Sequence, residues 1–236
     1  MQFVNKIIFT VPHFVCREGT TRQQKICDLN AGPFTKLVTD LCQDIDHVII
    51  YSEQNRRVLD DNRFSTGSNT IVQDSPLWIK LREEVKKYHD EHKSFDHLLI
   101  LDMHSFYIEE NLDMYFLELE PNQEITVQLN KHLIDNGFRS EIMRNQIGSN
   151  SITNVHTLHP VPIRSILVEV SEYITDERLK EMAKHFSDFL HSIYKKENGK
   201  LQKENDKSEK EDDKKRQFNN MILTGFLFIL GQLLIT

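Results

Sequence analysis

Four short apolar runs recur along the chain at intervals too long for hairpins: "IIFTV" from Ile7, "HVII" from His47, "LLIL" from Leu98 and "ILVEV" from Ile166. Runs that are nearly continuously apolar, rather than apolar at every second residue, suit strands covered on both faces. The segments between them carry a helical period instead. In "GPFTKLVTDLCQDI", Phe34, Leu37, Val38 and Leu41 fall on one helical stripe. In "PLWIKLREEVKKYHDEHK" the stripe is Leu77, Leu81, Val85 and Tyr88, with Asp74 and Ser75 as candidate caps ahead of Pro76. "TVQLNKHLIDNG" reads as a helix that stops at Gly137, "FRSEIMRN" as a strand, and "DERLKEMAKHFSDFLHSIYKK" as a last helix capped by Thr175 or Asp176. Strands alternating with helices predict an α/β domain of three layers, with a mostly parallel or mixed sheet and helices on both faces.

The pattern ends abruptly. The stretch "KKENGKLQKENDKSEKEDDKKR" has Leu201 as its only aliphatic residue, too little apolar surface to offset the entropy of ordering it. The uncharged "MILTGFLFILGQLLI" follows. With its polar flanks it approaches the length of roughly 17–20 residues that a spanning helix needs. Lys214, Lys215 and Arg216 precede it, as on a cytoplasmic flank. The expected organisation is therefore a folded domain over residues 1–194, a charged linker over 195–217 and a transmembrane tail anchor over 218–236, with the domain facing the cytosol.

Several functions are disfavoured. The chain has a net charge of -7 and lacks GxGxxG and GxxxxGK[ST] patterns, which argues against nucleic acid, dinucleotide and P-loop ligands. Cys16, Cys27 and Cys42 are odd in number and lack CxxC spacing. They read as three separate thiols, compatible with a reducing compartment.

In open α/β sheets, ligands bind beyond the carboxyl ends of the strands. Those ends carry the chemistry here. The first strand runs into His13 through "VPH", the third into Asp102 and His104 through "LDMHS", and "ILVEV" encloses Glu169. A carboxylate among Ile166, Leu167, Val168 and Val170 is costly to bury unpaired, and burial raises its pKa toward the range of a general base. Two histidines that both end parallel strands are a natural pair of zinc ligands, with Asp28 or Glu18 as the third. Asp102 would orient a ligand. In "NRRVLDDNRF", Asn62 and Arg63 form an amide–guanidinium pair suited to a substrate carboxylate. His156 and His159 of "VHTLHP" are further candidates for the pocket wall.

Taken in order, "VPH", "NRRVLDDNR", "YHDEH", "LDMHS" and "LVEVSEYI" resemble the N-formylglutamate amidohydrolase family, relatives of the zinc carboxypeptidases, over roughly residues 3–190. The resemblance implies a phosphorylase/hydrolase-like fold and a zinc-dependent hydrolase that cleaves an amide in a small carboxylate-bearing substrate. It implies His13, His104 and, in preference to Glu18, Asp28 as metal ligands. It also implies Glu169 as catalytic base and Arg56, Asn62 and Arg63 as the substrate grip. The alternative is a catalytically degenerate, membrane-anchored binding module of the same fold. Two segments depart from the family: "HFVCREG" has Phe14 and Val15 where small residues are usual, and "NQIGSNSITNVHTLHP" replaces a Gly-Gly turn.

Overall fold

The computed structural model describes residues 3–19, 27–57, 75–107, 111–117, 124–143 and 163–195. They form β1 (Lys6–Val11), α1 (Ala31–Leu41), β2 (His47–Tyr51), α2 (Pro76–His92), β3 (Leu98–Phe106), β4 (Met114–Leu117), α3 (Glu124–Asp135), β5 (Ser140–Met143), β6 (Arg164–Ser171) and α4 (Asp176–Ile193). The compact unit to which they belong runs from Met1 to Lys195. The expected α/β architecture holds.

The six strands form one sheet in the order β2-β1-β3-β6-β4-β5. β1 pairs in parallel with β2 and β3, and β3 with β6; β4 runs antiparallel to β6. β4 pairs in parallel with β5, so these two strands run opposite to the other four and make the sheet mixed. "MYFL" is only four residues long, too short to stand out from periodicity alone.

Side-chain alternation along the central strands sorts the two faces. Ile7, Phe9, Val11, Leu99, Leu101, Met103, Ile166, Val168 and Val170 pack with Phe34 and Val38 of α1, Leu129 and Leu133 of α3, and Met182, Phe186 and Leu190 of α4. Ile8, Leu98 and Ile100 face the other way, against Leu77, Trp78, Leu81, Val85 and Tyr88 of α2. Each such fully buried aliphatic or aromatic side chain contributes about 1.5–3 kcal/mol of transfer free energy. The second face changes character along its length. On β3 it reads Leu98, Ile100, Asp102, His104, so the apolar layer under α2 gives way to buried polar groups toward the carboxyl end.

The helices start where the sequence places their caps. Ser75 Oγ accepts from Trp78 N–H and Thr175 Oγ1 from Arg178 N–H, each cap contributing about 1 kcal/mol. α3 ends ahead of Gly137, whose φ of 85° lies in the left-handed region that favours glycine. α1 starts differently. Its Asn30 makes no side-chain cap; Asn30 Nδ2 donates to the Ser171 carbonyl at 2.7 Å, and Asn30 N–H donates to Ser105 Oγ at 3.3 Å. The start of α1 is thus tied to the ends of β3 and β6.

One expectation about the cysteines is corrected. Cys16 and Cys27 are joined in a disulfide, and only Cys42 is free, buried beside Ser187. The eleven-residue separation carries no pairing signal of its own; the pairing arises because the chain leaving β1 returns to the start of α1. Bonds of this kind persist in oxidising environments. Among the described residues no helix is long and apolar enough to cross a membrane, and the proposed anchor at 218–236 lies outside them.

Candidate metal centre

β1 and β3 lie side by side at the point where the chain changes direction across the sheet: β2 is added on one side of β1 and β3 on the other. Such a switch point opens a crevice at the strands' carboxyl ends. His13 lies two residues past β1, His104 lies within the last turns of β3, and Asp28 lies three residues ahead of α1. All three are buried, at 4%, 3% and 5% exposure. They meet. Asp28 Oδ2 lies 3.1 Å from His13 Nδ1 and 3.0 Å from His104 Nδ1, and one donor atom from each residue falls within 4.8 Å of the others. The imidazole rings stand edge to face, 4.9 Å between centroids.

The partners of these groups form a second layer. His104 Nε2 lies 3.2 Å from Asp102 Oδ2, and Thr10 Oγ1 donates to Asp102 Oδ1 at 2.9 Å. Ser105 N–H donates to Asp28 Oδ2, Asp28 N–H donates to the His13 carbonyl, and an Arg56 guanidinium nitrogen lies 3.7 Å from Asp28 Oδ1.

The electrostatics follow. Burial penalises the Asp28 charge, but hydrogen bonds from His104 and His13 outweigh it and hold the carboxyl below the usual range. Burial also opposes a charge on His104, yet the Asp102 carboxylate and the bonds to Asp102 and Asp28 raise its pKa well above the ordinary value. Both His104 nitrogens face carboxylates. Without a cation the ring must be doubly protonated to satisfy both. With one, Nδ1 would be free to offer its lone pair to the ion while Nε2–H would still donate to Asp102. Two imidazoles and one carboxylate in a buried cluster, one imidazole backed by a second carboxylate, are donors that fit a borderline-soft divalent ion such as zinc.

Glu169 is the register partner of His104 on β6. The residues flanking it, Val168 and Val170, belong to the opposite core, so its side chain shares the face of Asp102 and His104. It is half-buried, and burial pushes its pKa up to about 7, although the nearby His104 partly offsets this.

The sequence-expected residues therefore divide. His13, Asp28, Asp102 and His104 come together, Glu169 lies on the adjacent strand, and Arg56 reaches Asp28. Glu18, the other candidate third ligand, is exposed and outside the cluster. Asn62, Arg63, His156 and His159 lie outside the described residues. Sequence reasoning missed Thr10 and Glu172. Thr10 is a polar residue inside an apolar strand, and Glu172 follows "VEVS" directly; both positions could have drawn attention.

No family model and no curated protein matches the chain. Solved structures do. A gene product of Agrobacterium tumefaciens superposes with a TM-score of 0.57 at 11% identity, covering 80% of this chain and 90% of that one. N-formylglutamate amidohydrolase from Ralstonia eutropha JMP134 gives 0.57 at 10% identity, covering 81% and 93%. Succinylglutamate desuccinylase from Vibrio parahaemolyticus gives 0.51 at 12%, covering 83% and 68%. The likeness to N-formylglutamate amidohydrolase read from the sequence motifs thus holds for the fold across four fifths of the chain.

Proposed function

We propose that the protein is a metal-dependent hydrolase, with zinc as the ion, that cleaves an amide bond in a small carboxylate-bearing substrate such as an acyl-amino acid. The observation that carries this reading is the convergence of His13, Asp28 and His104, with Glu169 on the neighbouring strand. The two named structural relatives, a formylglutamate hydrolase and a desuccinylase, agree with it.

His13, Asp28 and His104 would hold the ion. When bound there, a divalent ion supplies Lewis acidity toward a carbonyl oxygen and lowers the pKa of water. Glu169 takes a proton from the attacking water and returns it to the leaving nitrogen. A carboxyl raised toward 7 suits both halves of that transfer near neutral pH. Asp102 fixes the His104 ring by accepting from Nε2–H, and Thr10 fixes Asp102 in turn. Arg56, together with Asn62 and Arg63, grips the substrate carboxylate with planar, bidentate donors.

A membrane anchor at 218–236 belongs to the same proposal. The basic flank favours a cytosolic domain, whereas the Cys16–Cys27 bond favours an oxidising side.

The test is a panel of acyl-amino acids offered to zinc-loaded protein. Wild type should hydrolyse at least one member. Glu169→Gln should keep its zinc and lose turnover by roughly 10²–10⁴-fold, the range for a general base. Full turnover in Glu169→Gln would remove Glu169 from its role. Bound zinc with no hydrolysis across the panel would leave a binding module.

A further inference from the structure

Within the cluster, the ligands differ in how they are held. His104 is part of β3 and inherits the sheet's rigidity. Asp28 lies in a turn between residues 20–26, which are not described, and the start of α1. Something must fix that turn, because a ligand displaced by even an ångström loses its place around an ion.

The bonds converge on Glu172, the residue directly after β6. Glu172 Oε1 accepts from Ser105 Oγ–H at 2.7 Å and from Leu29 N–H at 3.1 Å. Leu29 adjoins Asp28. Ser105 adjoins His104, and its backbone N–H donates to Asp28 Oδ2 at 3.3 Å. Asn30 N–H donates to the same Ser105 hydroxyl, and Asn30 Nδ2 to the Ser171 carbonyl beside Glu172. The backbone of Glu172 is itself anchored, its N–H donating to the Phe106 carbonyl at 3.0 Å. One carboxylate at the end of β6 thus ties the Asp28 turn to the His104 strand.

We propose that Glu172 is a positioning residue: it lies outside the donor group His13, Asp28 and His104, and it sets the separation between Asp28 and His104 through Leu29 N–H and Ser105. The inference rests on the metal reading for its consequence, but its geometric half stands without it. Truncating Glu172 leaves Leu29 N–H and the Ser105 hydroxyl without their acceptor and frees the turn. Groups that orient ligands in this way typically change metal affinity by roughly 10–100-fold when removed.

The experiment compares zinc affinity, by competition with a chromophoric chelator, and amide hydrogen exchange across 27–30, in wild type, Glu172→Ala and Glu172→Gln. Glu172→Ala should bind zinc roughly 10–100-fold more weakly and exchange the Leu29 amide faster, in the zinc-free protein as well. Glu172→Gln keeps an acceptor oxygen in place and should recover most of both. Wild-type affinity in Glu172→Ala, or equal losses in Ala and Gln with unchanged exchange at Leu29, would overturn the proposal. If wild type binds no zinc, the metal reading falls alone. Exchange at Leu29 still decides the positioning: faster in Glu172→Ala supports it, unchanged overturns it.

Discussion

Asp28 and Asp113 are both buried carboxylates, 5% and 2% exposed, and both are kept ionised against the cost of burial. They are compensated in different ways. Asp113 lies just before β4 and receives two arginines, Arg178 at 2.7 Å and Arg139 at 3.2 Å, with the Arg139 backbone N–H as well. Asp28 receives two histidines. Arginine is a permanent cation with no lone pair to offer a metal, so Arg178 and Arg139 neutralise Asp113 themselves and fasten β4, β5 and α4 together. Histidine can give up its proton and offer a lone pair instead. The Asp28 cluster therefore leaves open which cation neutralises it, and that choice separates a site from a clasp.

The two clusters are also held differently, and the contrast can be broken. The Asp28 turn is cross-linked to the chain after His13 by Cys16–Cys27, whereas no disulfide touches the Asp113 cluster. A closed loop of this size constrains the unfolded chain by about 3 kcal/mol. Replacing both cysteines with serine should lower stability in denaturant titration by roughly 2–3 kcal/mol. Hydrogen exchange should rise around Asp28 while the amides of Arg139 and Met114 keep their protection. Equal loosening of both clusters would show that the cross-link has no local role.

The smaller effect belongs to Asp113. Burial raises its pKa, but the hydrogen bonds from Arg178 and Arg139 prevail and leave it below the ordinary value. The folded state then binds fewer protons than the unfolded one. The contribution is complete above the unfolded pKa of about 3.9 and is lost as pH falls through the depressed folded value. Because both arginines are partly exposed, the cluster contributes about 1–2 kcal/mol after screening. Asp113→Asn should show that loss in melts at pH 7 and converge on wild type toward pH 2. A loss independent of pH would mean the cluster works through shape rather than charge.

What could be read from the sequence follows the same division. The strand-borne groups Asp102, His104 and Glu169 were legible because polar residues interrupt apolar runs there, and a charge inside such a run is costly unless used. The parallel core was legible because β1, β3 and β6 each contain a nearly continuous apolar run. Loop-borne features were less so. Asp28 could be preferred to Glu18 only through resemblance to a family, since nothing local fixes how a loop folds back. The disulfide was misread because its two ends are brought together by tertiary structure alone. Glu172 directly follows β6, but its role depends on Leu29 and Ser105, which only the tertiary structure brings to it. The short β4 carried too few residues for a period.

On the proposed reading the Asp28 cluster takes its cation from solution, whereas the Asp113 cluster carries its own in Arg178 and Arg139. Elemental analysis of the purified chain after zinc loading and removal of excess metal tests it most directly, alongside Asp28→Asn and Asp113→Asn. One zinc per chain is expected in wild type and in Asp113→Asn, and none retained in Asp28→Asn. A folded wild type that holds no zinc, or an Asp28→Asn protein that holds as much as wild type, would contradict it.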